Sequence, residues 1–312
     1  MNAKLKYFIL FNFGFAIVLL LLFYSDALGH SNKLLIKILS ENIFNGQNSS
    51  RQGKVPAQNI STGSPSKRPK LEEFPTVTRI IHQSWKNNGP LPSAFSRFVP
   101  SWKKCYPNWK YMFWTDKANR EFVAKHFSWF LKKYDSFPTE IYRADVCRYF
   151  YLFHYGGIYS DMDNECLQPF EHLLANHSLV FGDINHVPRV TKLKGYNYVQ
   201  NSFMYSKPNH PFWLELLMEI FHGKTSSTAD NVTGPLAMSN LIQKYKERYP
   251  SSDDIKIYEA RYFNPISWGN QNQNFKDCKI YNSITDEQHA KCREHLVKSG
   301  SFVAQYHSHV WG

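Results

Sequence analysis

The sequence sets two carboxylates two residues apart in Asp161-Met162-Asp163. In a strand-like loop, residues at that spacing face the same side, so both carboxylates aim at one point. Held so close, they repel each other unless a cation sits between them. Hard oxygen ligands select Mg²⁺ or Mn²⁺. An ion bound there would neutralise a diphosphate and make it a better leaving group. Asp-x-Asp also occurs in ordinary exposed turns. Here, however, it follows Gly156-Gly157 and the short aromatic run Ile158-Tyr159-Ser160, and open α/β sheets bind ligands beyond the C-terminal ends of their strands.

A second pair lies upstream. Asp145 and Arg148 are three residues apart in a stretch otherwise dense in Ala, Cys, Tyr, Phe and Leu. On a helix they share a face, and their neighbours leave little room for a solvated side. The pair therefore faces a cleft, where a carboxylate accepts sugar hydroxyls and a guanidinium reaches phosphate or sugar oxygens. The alternative is a structural ion pair.

These residues need a scaffold that brings a helix and a strand end together. Residues 77–85 and 110–115 read as buried strands, with shorter ones at 158–160, 179–182, 201–205 and 255–258. Helical patterns cover 93–105, 117–133, 139–154, 211–222 and 235–249. Strands alternating with helices predict an α/β fold with a mostly parallel sheet.

Composition sets the wider frame. The 312 residues are 43% hydrophobic and 16% aromatic, with a net charge of +12. That excludes a polytopic membrane protein, a collagen-like repeat and a wholly disordered chain. Tyr7 to Tyr24 is an uncharged apolar run of 18 residues. As a helix it rises about 27 Å, close to the thickness of a bilayer core. With Lys4 and Lys6 ahead of it, it reads as a signal-anchor with a cytoplasmic N-terminus, the competing reading being a cleaved signal peptide. The expected organisation is a cytoplasmic tail (1–6), a transmembrane signal-anchor (7–24), a luminal stem (25–74) and one folded domain (75–312). Residues 31–74 carry a net +4 and are rich in Ser, Asn, Gln, Lys and Pro, as suits a stem; the part from residue 75 onward keeps +7. Over a third of the excess charge thus lies before residue 75, and no nucleic-acid-binding module appears.

The sequons at Asn48, Asn59, Asn176 and Asn231 agree with a secretory lumen. Of the 5 cysteines, Cys278 and Cys292 are the pair expected to bridge; Cys105, Cys147 and Cys166 stay open.

Taken together, Ile80-Ile81-His82-Gln83-Ser84-Trp85, Trp114-Thr115-Asp116, Arg143-Ala144-Asp145-Val146-Cys147-Arg148 and Tyr155 through Asp163 resemble glycosyltransferase family 32, the group with the DXD-containing sugar-binding region. The resemblance implies a GT-A fold, a nucleotide-sugar donor, Mn²⁺ (or Mg²⁺), and retention of anomeric configuration. It assigns Asp161 and Asp163 to the metal, with His309 or its alternating neighbour His307 adding a late contact. Asp145 and Arg148 would hold the donor sugar, and Asn201 would reach the reacting sugar. His82, Gln83, Asp116 and Tyr159 would line the nucleotide, and Trp311 would close over it. The block from Thr139 to Asp163 looks closest to the mannosyl branches, which implies GDP-mannose; the final His309-Val310-Trp311 looks more like the UDP-sugar enzymes that make α-1,4-galactosyl and N-acetylglucosaminyl linkages. A glycolipid or glycan acceptor and a Golgi (or ER) membrane, with the catalytic domain luminal, complete the expectation.

Two other classes compete. A glycoside hydrolase needs acids about 5–9.5 Å apart flanking a bond, whereas an adjacent dyad suits a metal. A catalytically silent sugar-binding protein would keep the fold and lose the chemistry, yet both the dyad and the Asp145/Arg148 pair are present.

Overall fold

The computed structural model describes residues 77–93, 95–184, 198–225, 228–250, 254–266, 278 and 285–307. The chain divides into two compact units, Met1–Pro65 and Ser66–Gly312, and all described residues belong to the second. Among them no helix is long and apolar enough to cross a membrane. The apolar run Tyr7 to Tyr24 and the stem lie outside the described residues.

Next to one edge of the six-stranded sheet lies β1 (Ile80–Trp85), buried from Ile81 onward. It pairs in parallel with β2 (Lys110–Thr115) on one side and β3 (Gly157–Ser160) on the other. Beyond β3 the order continues through β6 (Val199–Ser206), β5 (Leu179–Asp183) and β7 (Ile255–Tyr258). β6 runs antiparallel to both of its neighbours, and β5 pairs in parallel with β7. The sheet is therefore mostly parallel with one reversed strand, as the alternating pattern predicts. Two glycines make the β1–β3 pairing possible. Gly156 and Gly157 have φ of +65° and +95°. A Cβ on Gly157 would lie 2.5 Å from the Ile80 carbonyl oxygen, and one on Gly156 would lie 2.6 Å from the Pro208 nitrogen. Only glycine tolerates both the conformation and the approach.

The first helix, α1 (Phe95–Cys105), buries Phe95, Phe98 and Trp102. The single helix expected over 117–133 is instead three pieces: α2 (Asp116–His126), a 3₁₀ turn at Ser128–Phe130, and α3 (Leu131–Asp135). The break falls at Phe127, whose φ/ψ of −138°/45° leaves the helical region. Its ring packs against Phe150 with centroids 4.3 Å apart, so aromatic packing outweighs helix continuity. Asp116 opens α2 instead of ending β2, and the Thr115 hydroxyl caps it through the Ala118 amide.

Helix α4 (Glu140–His154) buries eleven residues spread around all of its sides, Asp145 and Arg148 included. It has no polar stripe because it lies between the sheet and further helices, among them α6 (Pro211–His222). The short α5 (Glu171–Leu174) and α7 (Ala229–Val232), and the longer α8 (Pro235–Arg248), follow in chain order. After β7 come α9 (Ala260–Phe263) and α10 (Asp286–Lys298).

A second, two-stranded sheet pairs β4 (Asn164–Cys166) antiparallel with β8 (Val303–Gln305). Three-residue strands carry too short a pattern to be read from sequence. The cysteines also go further than expected. Cys278 bonds Cys292, Cys105 bonds Cys166, and Cys147 is a buried free thiol.

Candidate active site

The chemistry gathers where α4 passes the C-terminal end of β3. Asp161 follows that strand directly, and its amide donates to the Ser202 carbonyl on β6 at 2.8 Å. The Asn164 amide then returns to the Asp161 carbonyl at 3.1 Å. Asp161-Met162-Asp163 is therefore a turn, and the strand-like alternation expected there is corrected. What separates the side chains is Met162, which is buried in a cluster with Trp85, Phe95 and Leu296. With methionine anchored in the core, both aspartates beside it are largely buried, 9% and 5% exposed.

Asp161 is held on several sides. The Gln83 side-chain amide donates to its carbonyl at 3.0 Å, and Gln83 Oε1 in turn accepts from the Tyr111 hydroxyl at 2.8 Å. The Tyr159 hydroxyl donates to Asp161 Oδ1 at 2.7 Å, and Arg148 Nη1 lies 3.4 Å from the same oxygen. Burial nevertheless pushes this carboxyl up to about 6; Arg148 opposes the shift and the nearby Asp163 adds to it.

Arg148 is 3% exposed and joins the two halves of the site. Its Nη2 lies 3.3 Å from Asp145 Oδ1, its Nη1 donates to the Asn201 carbonyl at 2.8 Å, and its guanidinium lies over the Tyr159 ring at 4.7 Å. Burial alone would weaken its hold on the proton, but Tyr159, Asp161 and Asp145 outweigh it, and the group is a fixed cation. Asp145 accepts from Asn201 Nδ2 at 2.8 Å through one oxygen and from the Thr233 hydroxyl at 3.0 Å through the other. The Tyr149 hydroxyl completes the network: it accepts from Asn201 Nδ2 at 3.1 Å and donates to the Thr233 carbonyl at 2.6 Å.

The structure thus brings Asp145, Arg148, Asp161, Asp163, Asn201, Gln83 and Tyr159 into one constellation. The parts played by Gln83 and Tyr159 differ from those expected. Both are fully buried and turned onto Asp161, which makes them supports of the dyad. His82 is corrected more strongly. Its Nδ1 accepts from Trp114 Nε1 at 3.2 Å, which leaves Nε2–H to meet the Gly156 carbonyl at 2.9 Å. Rings of Trp114, Tyr151 and Tyr155 surround it, and burial drops its pKa to about 4. It is a neutral core histidine with no face open to a nucleotide. Asp116 is half-buried at the same sheet edge. Its carboxyl is raised by burial and by Glu140, against Arg143 and Lys86. His309 and Trp311 lie outside the described residues, as do Asn48 and Asn59; Asn176 and Asn231 are exposed. Tyr149 joins the site without a signal of its own, and Thr233 with only the resemblance of Thr233-Gly234-Pro235 to a family segment; their roles exist only once the end of α7 and β6 meet α4.

Among the described residues no group of three or more His, Cys, Asp or Glu side chains converges as a metal cage. The donor set still fits a hard divalent ion. Two neighbouring buried carboxylates repel each other, and a cation between them would relieve that repulsion.

Comparison with known proteins agrees with this geometry. Residues 92–180, which span α4, β3 and the dyad, match the glycosyltransferase sugar-binding region containing a DXD motif. The chain carries the family 32 DXD region. The resemblance read from the sequence is borne out over this region. Inositol phosphoceramide mannosyltransferase 2 of Schizosaccharomyces pombe is 35% identical over 60% of this chain and 53% of its own length. Mannosyl phosphorylinositol ceramide synthase SUR1 of Saccharomyces cerevisiae is 32% identical over 62% of this chain and 49% of its own length. An initiation-specific alpha-1,6-mannosyltransferase of Candida albicans is 24% identical over 46% of this chain and 36% of that protein. The chain spans about half the length of the first two relatives. Among solved structures, the PaToxG glycosyltransferase covers 73% of this chain and 89% of its own, at 11% identity and a TM-score of 0.41.

Proposed function

We propose that this protein is a metal-assisted, retaining mannosyltransferase that moves mannose from GDP-mannose to an inositol-phosphoceramide-type glycolipid. The observation that carries the reading is the joining of the dyad to the Asp145–Asn201 pair through one buried guanidinium. Sugar-hydroxyl ligands and diphosphate ligands thereby share one rim. The names of the fungal relatives support mannose as the sugar and inositol phosphoceramide as the acceptor class.

Asp161 and Asp163 would hold Mn²⁺ or Mg²⁺, which when bound neutralises the leaving diphosphate. The chain's own residues do the rest. Tyr159 and Gln83 fix Asp161 against rotation. Asn201 and Thr233 each occupy one Asp145 oxygen and leave lone pairs for sugar hydroxyls. Arg148, pinned from three sides, presents positive charge where negative charge grows on departure of the nucleotide. We assign Asp145 the part of a sugar ligand, aimed by donors on both of its oxygens. We favour departure and attack on one face of the sugar, with the diphosphate assisting deprotonation of the acceptor. A trapped glycosyl-enzyme adduct would overturn that part.

The reading extends to a GT-A fold and to a Golgi-type membrane enzyme whose catalytic domain faces the lumen. The test is to incubate the full-length, detergent-solubilised protein with Mn²⁺, inositol phosphoceramide and a panel of GDP-mannose, UDP-galactose and UDP-N-acetylglucosamine. Mannosylated lipid from GDP-mannose alone is the expected product. Turnover with only a UDP-sugar would overturn the donor, and sugar binding with no turnover would make the protein a silent binder.

A further inference from the structure

The strand that leaves the dyad, β4, is fixed at every residue. Asn164 donates from Nδ2 to the Ser202 carbonyl at 2.8 Å, and its own carbonyl accepts from Trp102 Nε1 at 3.0 Å. Cys166 is bonded to Cys105. Between them Glu165 points a carboxylate into the protein, 3% exposed. Its Oε2 accepts from the Tyr306 hydroxyl at 2.7 Å and meets His289 Nε2 at 2.9 Å; its Oε1 meets Arg293 Nε at 3.1 Å. Those partners come from α10 and from the residue after β8, and none belongs to the sugar-binding network.

A buried carboxylate is costly unless it is paired and hydrogen-bonded. Here the pairing costs no substrate contact, so its effect falls on geometry. Glu165 lies two residues past Asp163, and the Tyr306 amide donates to the Asp163 carbonyl at 3.1 Å. The tyrosine that holds Glu165 by its side chain therefore holds Asp163 by its backbone. On the other flank, Arg293 Nη2 also donates to the Leu167 carbonyl at 2.5 Å. The Cys278–Cys292 bond sits on α10, one residue before Arg293.

We propose that Glu165 is a positioning residue: clamped by His289, Arg293 and Tyr306, it lets α10 and β8 set the aim of the Asp163 carboxylate toward a divalent cation. The proposal rests on the metal-dependent reading above. Outer partners that orient metal ligands typically change metal affinity or activity about 10–100-fold when removed.

The experiment uses the full-length protein in detergent. Mn²⁺ binding is followed by electron paramagnetic resonance in the presence of GDP, next to the Mn²⁺ concentration that gives half-maximal transfer and the thermal midpoint. Tyr306→Phe removes a single hydroxyl, and Glu165→Gln removes the charge. Val123→Ala opens the core under α2, outside the cluster that holds Met162 and Tyr306, and serves as the destabilised control. The expected result is about a tenfold weaker Mn²⁺ site in Glu165→Gln, and a smaller shift in the same direction in Tyr306→Phe. Val123→Ala should lower the midpoint and leave Mn²⁺ affinity within about twofold of wild type. Wild-type Mn²⁺ affinity in both clamp variants, or an equal loss in Val123→Ala, overturns the proposal alone. A wild-type protein that binds no Mn²⁺ overturns the functional reading and the proposal with it.

Discussion

The Thr233 hydroxyl donates to Asp145 Oδ2 at 3.0 Å, and Thr233 is also the third residue of the sequon that begins at Asn231. One side chain thus serves both the carboxylate proposed to bind sugar and a sequon. The two roles separate by substitution. A hydrogen bond to a charged group contributes about 1.5–3 kcal/mol, so Thr233→Ala should lower kcat/KM about 10–100-fold and abolish any glycan at Asn231. Asn231→Gln should remove the glycan and leave transfer near wild type, while Thr233→Ser should keep both. Steady-state kinetics and a glycosidase mobility shift read the two effects. Equal losses in Thr233→Ala and Asn231→Gln would assign the effect to the glycan.

Arg148 balances Asp145 and Asp161 from a position 3% exposed. Its removal strands two carboxylates in a poorly solvated site, and breaking a buried pair costs about 3–5 kcal/mol. Arg148→Ala should therefore shift the denaturant midpoint strongly. Because part of that loss is the unpaired charge, adding Asp145→Asn should recover some stability although it deletes a second native group. Additive losses in the double variant would show that the three groups do not interact.

Much of this arrangement was legible in the sequence. The strands of the main sheet, α4, and the pairing of a helix-borne Asp145/Arg148 with a strand-end dyad follow from periodicity and spacing. The supports were not. The resemblance set Gln83, Tyr159 and His82 against the nucleotide, and residue type could not decide the matter: burial with satisfied bonds and contact with a ligand call for the same residue types. The structure resolves this by geometry, with Trp114 and Gly156 taking both nitrogens of His82. The break at Phe127 and the three-residue strands β4 and β8 left no local signature, since tertiary contacts create them. The same holds for Glu165, whose partners lie 124 to 141 residues away.

Asp161 gives the site a pH dependence whose sign can be worked out. Burial raises its carboxyl to about 6, whereas in the unfolded chain it titrates at about 4. The fold then binds this proton more tightly than the unfolded chain does. Its contribution is fully present below about pH 4 and is lost as pH rises to about 6, after which the ionised group costs the metal-free fold about 3 kcal/mol. His82 acts the other way over the same range. Its folded pKa of about 4 lies below the ordinary value of 6.5, so the stability it contributes is lost as pH falls from about 6.5 to 4. Raw stability curves mix these trends, and the difference made by Mn²⁺ isolates Asp161. Mn²⁺ should raise the thermal midpoint at pH 7.5 and do so only weakly at pH 5. Asp161→Asn should raise the metal-free midpoint at pH 7.5 and remove most of the Mn²⁺ response. An equal Mn²⁺ shift at both pH values would refute the linkage.

The cysteines allow a test of how firmly the strand behind the dyad is tied. Cys105 and Cys166 join α1 to β4 across 61 residues of sequence. By the chain-entropy account, closing a span of that size restricts the unfolded chain by about 4 kcal/mol. Cys105→Ser with Cys166→Ser should therefore lower stability by several kcal/mol, and more than Cys278→Ser with Cys292→Ser, whose span is 14 residues. Cys147 is the internal control. It is buried on α4 with its thiol pushed up to about 12 by burial, 3.7 Å from the Tyr134 hydroxyl oxygen. At pH 8 almost none of it is thiolate, and thiolate is the reactive form. A maleimide should leave Cys147 unmodified in the native wild-type chain and label it only as the domain unfolds, so that labelling rate against denaturant reports global opening in each disulfide variant. Rapid labelling of Cys147 in the native wild type would contradict the buried, tightly packed α4 on which the placement of Asp145 and Arg148 depends.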